Sequence, residues 1–469
     1  MLRAIVKAGK RVVAVMSGDS VTVRDYLVAA GAGEIVVNPD TSLLMLGVAA
    51  GNLFVRDALA KFGVEAQTLQ WKEYKGAAEM FSRDAMSPEL RESLDAIIAD
   101  WRTTLAESIA ASRGLTFERA RELIASGFLG ARGACDAGLV DRTGYLDDLR
   151  VELAPDESSE RRLIGLGRYL RHLAYVSSRG QRPRLALIHG LGPVITGDGP
   201  GAGEFLSGER TAADIRRAAA DDSIRAIVFR VNSPGGSAVG SDLVWRAVRE
   251  AQRRGKPVVV SMGDVAGSGG YYVAAGADAI VAEPATITGS IGVVYTKFSL
   301  HDLLRQIGVG IDVAKSDTIS DALSVARPLT AAELDQLNLV VGELYSNFTA
   351  KVAEGRKLDP AAAEAVARGR VWSGIAAHAH GLVDELGGLS RAVTIARERA
   401  GLKPEEPHEL MLYPPPNLLA AANLTLARNA IPWPLVLAAT ALEIPERWVP
   451  ALAHLIMRRN AILLCPFLG

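Results

Sequence analysis

A serine flanked by glycines stands in a setting that favours covalent catalysis. Ser268 lies in the run Ala-Gly-Ser-Gly-Gly, after the apolar stretch 257–264 and before the helical pattern 271–280. This order predicts a tight turn from a strand into a helix, with the Gly269 N–H near the helix N-terminus, where it can stabilise an anion. A nucleophile elbow likewise places its serine on a tight turn between a strand and a helix, although the pattern here is not Gly-x-Ser-x-Gly. The alternative interpretation is a turn that only packs a helix close to the sheet.

A second glycine-rich turn could work together with the first. Its sequence, Ser-Pro-Gly-Gly (233–236), directly follows the strand-like run 226–232. Ligands of open α/β sheets bind at the carboxyl ends of parallel strands, so Gly235 and Gly236 can expose N–H groups beside Ser268. Two such turns predict an oxyanion hole with two donors. Taken alone, the second could equally be an ordinary β-turn.

A nucleophilic serine needs a base, and this sequence offers a lysine more readily than a histidine. The seven histidines are scattered, and none has an acidic partner that the sequence identifies. Lys75 has Tyr74 and small apolar neighbours, and burial would lower its pKa enough for the neutral amine to accept a proton. Taken alone, it could be a solvated surface lysine. Lys315 is the rival base, but its neighbour Asp317 would hold its pKa up.

The chain contains a repeat of itself. The run that starts at Gly18 matches the run that starts at Gly263, 245 residues later, and the Gly-Leu-Val-Asp motifs of 137–141 and 380–384 also correspond. Each copy alternates apolar strand-like runs with helical patterns. This alternation predicts an α/β fold, with mostly parallel sheets flanked by helices, in two copies.

The differences between the copies indicate what only one copy needs. Val23 stands opposite Ser268, and Ser320 stands opposite Lys75. The first copy therefore has a lysine without a serine, whereas the second has a serine without an aligned lysine. The two halves are complementary, which favours a site that draws on both.

Composition excludes several classes of function. The 469 residues are 49% hydrophobic and 22% charged, with a formal net charge of −1, so a nucleic-acid partner is not indicated. Two cysteines and no His-Glu-x-x-His motif argue against a disulfide framework or a metal site. The N-terminal residues do not form a signal peptide, and no apolar run reaches the ~18 residues of a membrane span.

Five signatures together are similar to one known family, and the similarity covers about residues 1–400. They are RVNSPGGS, SMGDVAGSGGYYVA, TITGSIGV, EYKGAAEMFSRDAMSP and the GLVD repeats. The chain resembles the long, tandem-domain form of the signal peptide peptidase A family, also called protease IV. The resemblance implies two domains related to the Clp protease and crotonase superfamily. It also implies a serine–lysine dyad and a membrane-anchored oligomer that opens toward the periplasm.

The resemblance assigns roles to five residues. It implies Ser268 as nucleophile, Lys75 as general base, and Ser290 as a hydrogen-bond partner of the lysine amine. The oxyanion donors would be the backbone N–H groups of Gly235 and Gly269. No metal or other cofactor is needed for this chemistry.

The family pattern also sets expectations for domain organisation. It predicts an incomplete N-terminal domain over 1–150, a linker over 151–182, a C-terminal domain over 183–400 and a Pro/Ala-rich tail over 401–469. The family's N-terminal membrane anchor and the first half of its first domain have no counterpart here. The sequence is therefore expected to begin inside its first domain.

The most direct function is a serine endopeptidase that degrades cleaved signal peptides and other short apolar peptides. The expected location is the outer face of a bacterial cell membrane, and the expected partners are peptide substrates and further copies of the chain. Two alternatives stay open at this point. One is a crotonase-type enzyme acting on acyl-CoA, and the other is an inert scaffold.

Overall fold

A computed structural model describes residues 2–153, 164–169, 182–197, 205–403 and 406–413. The chain divides into two compact units: unit 1 is Met1–Ala49 with Ile98–Gln181, and unit 2 is Ala50–Ile97 with Arg182–Gly469. Residues 50–97 come from the first copy of the repeat but belong to the unit that contains the second copy. The domain boundaries drawn from the sequence stay a prediction, and the tail beyond residue 413 lies outside the described residues.

Both units are built from short strands and helices that alternate along the chain. The strands are β1 Val13–Met16, β2 Ser20–Thr22, β3 Glu34–Val37, β4 Ser42–Met45, β5 Glu65–Gln70, β6 Gly127–Gly130, β7 Arg142–Thr143, β8 Arg184–Leu191, β9 Val194–Ile195, β10 Leu206–Ser207, β11 Ile224–Ser233, β12 Val258–Gly267, β13 Ala279–Ala282, β14 Ile287–Gly289, β15 Val294–Ser299, β16 Val371–Ser373, β17 Glu385–Leu386 and β18 Glu409–Leu412. The helices are α1 Leu2–Lys7, α2 Val23–Ala29, α3 Arg56–Lys61, α4 Glu79–Ser82, α5 Pro88–Arg113, α6 Phe117–Ala125, α7 Ala131–Asp136, α8 Leu146–Leu153, α9 Gly208–Ala220, α10 Ala238–Arg253, α11 Gly269–Ala275, α12 His301–Gln306, α13 Ala331–Arg356, α14 Pro360–Val366, α15 Gly374–Ala379 and α16 Leu389–Arg399. Within these described helices, none is both long and apolar enough to cross a bilayer.

Unit 1 holds two small sheets around one apolar core. Strands β1, β3 and β7 are parallel, and a second sheet joins β2, β4 and β6, with β6 antiparallel to β4. The largest fully buried side chains of its core include Tyr26, Ile35, Leu43 and Met45. These residues come from both sheets and from α2, so the helix packs against the strands as an α/β fold requires.

Unit 2 is built on a larger sheet. Its strand order is β16-β14-β12-β11-β8-β18, with β13 paired to β12 and β17 to β13, and every pair is parallel except β14 with β16. The central strands β11 and β12 are mostly buried because both faces of a parallel sheet are covered by helices. The α/β fold with mostly parallel sheets, predicted from the repeat, is confirmed.

A separate two-stranded ribbon joins the first copy of the repeat to the second within unit 2. Strand β5 pairs antiparallel with β15 over six residues, from Glu65 opposite Ser299 to Gln70 opposite Val294. The residues after β5 form a loop, a short 3-10 turn at Gly76–Ala78 and then α4. The ribbon therefore fixes where this loop lies in unit 2.

The two copies share a tyrosine that closes each fold in the same way. Tyr26 donates a hydrogen bond of 2.8 Å to the carbonyl of Leu139, and Tyr271 donates one of 2.9 Å to the carbonyl of Leu382. Both rings are fully buried, and burial raises the pKa of both phenols. The Tyr positions correspond in the repeat, and the accepting carbonyls belong to its Gly-Leu-Val-Asp motifs.

The aspartates that end these motifs are equally matched. Each accepts a backbone N–H from a strand and an arginine at the end of a long helix: Asp141 from Ile35 and Arg113, and Asp384 from Ile280 and Arg356. The Gly-Leu-Val-Asp motif, called here the structural lock, therefore makes the same hydrogen bonds in both copies. Its presence in both copies indicates a role in the fold.

We expect Tyr271→Phe and Tyr26→Phe each to lower the free energy of unfolding of their own unit by about 1–3 kcal/mol, because each leaves a buried carbonyl unsatisfied. Calorimetric melting of both variants checks this. Tyr145→Phe is the control, since Tyr145 is half exposed and its loss should change stability little. Equal melting temperatures for all three variants would contradict a stabilising role for the two buried tyrosine hydroxyls.

Candidate active site

Ser268 sits at the turn that the sequence predicted. Strand β12 ends at Gly267 and α11 begins at Gly269, so Ser268 is the helix N-cap. Its φ of 52° and ψ of −119° lie outside the favoured regions for a residue with a side chain, and such conformations cost about 1–3 kcal/mol. The Ser268 N–H donates to the carbonyl of Gly289 at 2.8 Å, which helps to hold this conformation.

The second glycine turn lies directly against this serine. Gly235 has a φ of 109°, and a Cβ placed on it would come within 2.6 Å of the Ser268 Cβ. Its N–H donates to the Ser233 hydroxyl at 3.2 Å. In the described part of the chain, the N–H groups of Gly236 and Gly269 make no hydrogen bond to protein. The two predicted turns thus meet, and they leave free donors beside the serine hydroxyl.

Lys75 reaches this serine from the loop that follows β5. Its amine Nζ lies 3.0 Å from the Ser268 Oγ. The same Nζ donates to the Ser290 carbonyl at 2.7 Å and to the Ser290 Oγ at 2.9 Å. Three of the predicted site residues, separated by up to 215 positions in sequence, therefore converge on one nitrogen atom.

The environment of Lys75 favours its neutral form. The side chain is only 4% exposed, and burial lowers the pKa of its amine to about 7. The two nearby acids are engaged elsewhere: Glu73 pairs with Arg368, and Glu79 accepts from the backbone N–H and hydroxyl of Ser87. Because desolvation is not offset by a carboxylate, the amine can accept a proton near neutral pH.

Two glycines form the slot in which the lysine lies, and the sequence did not reveal them. A Cβ on Gly369 would fall 2.5 Å from both the Cβ and the backbone nitrogen of Lys75. A Cβ on Gly292 would fall 3.1 Å from its Cδ. Gly369 has a φ of 83°, and its N–H donates to the carbonyl of Ile291 at 2.8 Å. The repeat contained a signal, since Ser126 occupies the position of Gly369 in the first copy.

An arginine and a glutamate brace the lysine loop from outside. The Arg370 guanidinium lies 5.0 Å from the ring centre of Tyr74 and pairs with Glu92 at 2.8 Å. The Tyr74 hydroxyl also donates to Glu92 at 3.0 Å. The Arg370 carbonyl accepts the N–H of Ser290 at 2.7 Å. Arg370 therefore contacts both Tyr74, next to the lysine in sequence, and Ser290, which binds the lysine amine.

A cleft of about 160 Å³ opens onto the serine hydroxyl. Beyond the polar residues already described, its walls are mainly apolar. They include Ala77, Tyr272, Val293, Val294, Leu344 and Phe348. Such a wall fits an apolar side chain next to the reacting centre. Among the described residues, no group of three or more His, Cys, Asp or Glu side chains is arranged to hold a metal.

The rival lysine lies elsewhere. Lys315 is exposed, and its amine pairs at 3.0 Å with Asp321, whereas the sequence had suggested Asp317 as its partner. Ser320, at the position that matches Lys75 in the repeat, is also exposed. Of the two lysines considered, only Lys75 reaches Ser268 in this structure.

Comparison with known proteins gives a consistent result. The model of Peptidase family S49 matches residues 4–159 and 250–403. The two matched stretches cover the two copies of the internal repeat. They include Lys75 in the first stretch, and Ser268 and Ser290 in the second.

Three relatives align with most of the chain. Protease 4 of Salmonella typhi is 33% identical over 414 residues, covering 86% of this chain and 66% of the relative. Serine protease SPPA, chloroplastic, of Arabidopsis thaliana is 30% identical over 404 residues, covering 84% and 59%. Protease 4 of Haemophilus influenzae is 30% identical over 407 residues, covering 83% and 65%. The chain therefore spans less than two thirds of the length of these relatives.

Gly369→Ala should displace Lys75 and slow the reaction of Ser268 with a fluorophosphonate by about 100-fold, because a displacement near 1 Å has that effect on a reacting pair. The control is Gly255→Ala, where a φ of 76° imposes the same backbone strain but no atom lies within 4 Å of the new Cβ. Labelling rates and melting temperatures of both variants separate displacement from strain. Equal labelling rates for the two variants would contradict the claim that Gly369 makes room for Lys75.

Proposed function

The chain belongs to peptidase family S49, and from that premise we propose that it is a serine endopeptidase with a Ser268–Lys75 dyad. The observation that carries the proposal is the 3.0 Å separation between the lysine Nζ and the serine Oγ. The burial of Lys75, which lowers its pKa to about 7, supports the role of a base rather than of a structural cation.

The proposed reaction proceeds through an acyl-enzyme. Neutral Lys75 takes the hydroxyl proton as the Ser268 Oγ attacks the scissile carbonyl carbon. The resulting ammonium then donates that proton to the leaving amine as the peptide C–N bond breaks. In the second half, Lys75 accepts a proton from water as the water oxygen attacks the ester carbonyl carbon. The bond to the Ser268 Oγ then breaks, the ammonium returns its proton to that oxygen, and the acid is released. Ser290 would hold the amine in line through its two oxygen atoms.

The developing oxyanion requires hydrogen-bond donors beside the carbonyl carbon. The N–H of Gly269, at the start of α11, is one proposed donor because it is free and next to Ser268. The turn at Gly235 and Gly236 would supply the other. The close approach of Gly235 to the Ser268 Cβ supports this arrangement, although its N–H must turn from the Ser233 hydroxyl to take part.

The substrates we propose are short, extended, apolar peptides, of which cleaved signal peptides are one source. The apolar walls of the cleft support this class, as do relatives named Protease 4 and SPPA. By the same resemblance we place the protein at the outer face of a bacterial cell membrane, as an oligomer of identical chains. Acyl-CoA chemistry has no observation in its favour.

Replacing Lys75 by Met should lower peptide hydrolysis by about 10²–10⁴-fold, the usual contribution of a general base, while keeping the aliphatic volume in the slot. Lys315→Met is the matched control and should keep most of the activity. Ser268→Ala sets the zero of the assay and should remain folded. An active Lys75→Met enzyme would overturn the dyad. Absence of fluorophosphonate labelling in the wild type would instead indicate an inert scaffold.

The pH dependence of peptide hydrolysis should follow the titration of the Lys75 amine. Only the neutral amine is a base, and burial lowers the pKa of Lys75 to about 7, so activity is expected to rise through pH 7 and level off on the alkaline side. Measuring kcat/KM from pH 5 to 10, with unfolding checked at each pH, tests this. A rate that is still rising steeply at pH 10, toward the ordinary lysine pKa of about 10.4, would show that the base is a solvated lysine.

A further inference from the structure

The turn that forms one wall of the lysine slot has an unusual backbone. Arg368 and Gly369 lie just after α14 and have φ angles of 56° and 83°. The Arg368 carbonyl accepts the N–H of Tyr74, the residue before Lys75, at 3.2 Å. A residue with a side chain adopts a left-handed φ only where its surroundings hold it there. The contacts of Arg368 therefore bear on where the lysine backbone lies.

The hydroxyl of Tyr345, a residue of α13 that is only 4% exposed, contacts this turn directly. It accepts the backbone N–H of Arg368 at 3.2 Å. It also donates to the Glu364 carboxylate at 2.6 Å. Glu364 in turn pairs at 3.2 Å with Lys72, in the loop that carries Lys75. One buried hydroxyl thus links the left-handed turn to the lysine loop.

The ring of Tyr345 makes a second contact that does not involve the hydroxyl. Its centre lies 6.4 Å from the ring centre of Trp71. Trp71 also packs on Gly342 of the same helix, where a Cβ would fall 2.6 Å from the indole ring. Its backbone N–H donates to the Val293 carbonyl at 3.0 Å. A change of Tyr345 to Phe therefore removes the hydroxyl and leaves this packing in place.

The first copy of the repeat has no such arrangement. In this region equivalent positions lie 243 residues apart, as they do for the aspartates of the structural lock, so Arg102 stands opposite Tyr345. Arg121 stands opposite Glu364. Helix α6 begins at the position equivalent to the start of α14 but runs two residues longer, and its backbone is still helical where Arg368 is left-handed. Only the copy that receives the lysine has the hydroxyl, its carboxylate partner and the turn.

We propose that Tyr345 is a positioning residue for the reaction: its hydroxyl holds the Arg368–Gly369 turn in its left-handed conformation, and the turn keeps the lysine amine against Ser268 and out of water. The inference rests on the proposed Ser268–Lys75 dyad and adds a residue that sets its geometry. Without the hydroxyl, the N–H of Arg368 loses its partner and the turn is released. Burial alone lowers the pKa of the Lys75 amine, so water that enters the slot raises it.

The first test compares Tyr345→Phe with the wild type in peptide hydrolysis. Because the amine is aligned less often, we expect kcat to fall by about 10-fold with little change in KM. Because the amine meets water, we expect the midpoint of the kcat/KM profile to move to higher pH by about one unit. Burial, followed by the hydrogen bond to Glu364, raises the pKa of the Tyr345 phenol, so the wild-type hydroxyl does not titrate near that midpoint.

Tyr271→Phe is the matched control, because it removes another buried hydroxyl from the same unit. It should lower stability while leaving the midpoint of the pH profile at the wild-type value. An unchanged midpoint in Tyr345→Phe would overturn the role proposed for its hydroxyl.

The second test acts on the turn from its exposed side and leaves the tyrosine intact. Both Arg368→Asn and Arg368→Val remove the ion pair with Glu73, but asparagine tolerates a left-handed φ, whereas the β-branched valine does not. Arg368 is exposed, so neither change should impair folding. We expect Arg368→Val to reproduce the slower rate and the higher midpoint, and Arg368→Asn to match the wild type. Equal pH profiles for the two variants would contradict the part that the turn plays.

The third test separates this proposal from the dyad itself. If Tyr345 acts through the lysine, adding Tyr345→Phe to a Lys75→Met enzyme should not slow its residual fluorophosphonate labelling any further. An equal slowing in both backgrounds would show that Tyr345 acts by another route, and would overturn the positioning role while leaving the dyad. A Lys75→Met enzyme with wild-type activity would overturn the dyad, and with it the role proposed for Tyr345.

Discussion

The antiparallel pairing of β5 with β15 is the interaction on which the candidate site depends. Lys75 follows β5 by five residues, and Ser290 precedes β15 by four. A shift of one residue in this register would reverse the faces of β5 and carry the lysine loop away from the Ser290 oxygens. Six paired residues therefore hold the amine of Lys75 against the hydroxyl of Ser268, which lies 193 positions away in sequence.

Several features of the candidate site are energetically unfavourable when each is considered alone. A lysine is withdrawn from water, and both Ser268 and Ser290 adopt a φ of 52°, which is uncommon for residues other than glycine. The surrounding structure holds these features in place: the sheet fixes the end of β12, the glycine slot encloses the lysine stem, and Arg370 braces the loop. Strain and desolvation of this kind are typical of functional sites, where the scaffold rather than local preference sets the conformation.

Duplication separates residues that the fold needs from residues that the chemistry needs. The tyrosine and the Gly-Leu-Val-Asp lock occur in both copies, with near-identical hydrogen bonds in each. Val23 and Ser268 stand at equivalent positions, yet only the second can act as a nucleophile.

The sequence by itself determined the serine turn, the neighbouring Ser-Pro-Gly-Gly turn and the duplicated α/β architecture, since each depends on local pattern or on comparison between copies. The choice of Lys75 rested on the resemblance to a known family, because its local sequence also fits a surface lysine. Tertiary structure alone decided how the amine of Lys75 is withdrawn from water. Its burial arises from Gly292 and Gly369, its loop is held by Arg370 and Glu92, and the cleft wall includes Phe348. These residues come from segments far apart in the chain. Sequence periodicity indicates helices and strands, but it does not indicate which distant segments lie in contact. The pKa of the amine follows from that packing, because desolvation is a property of the assembled environment.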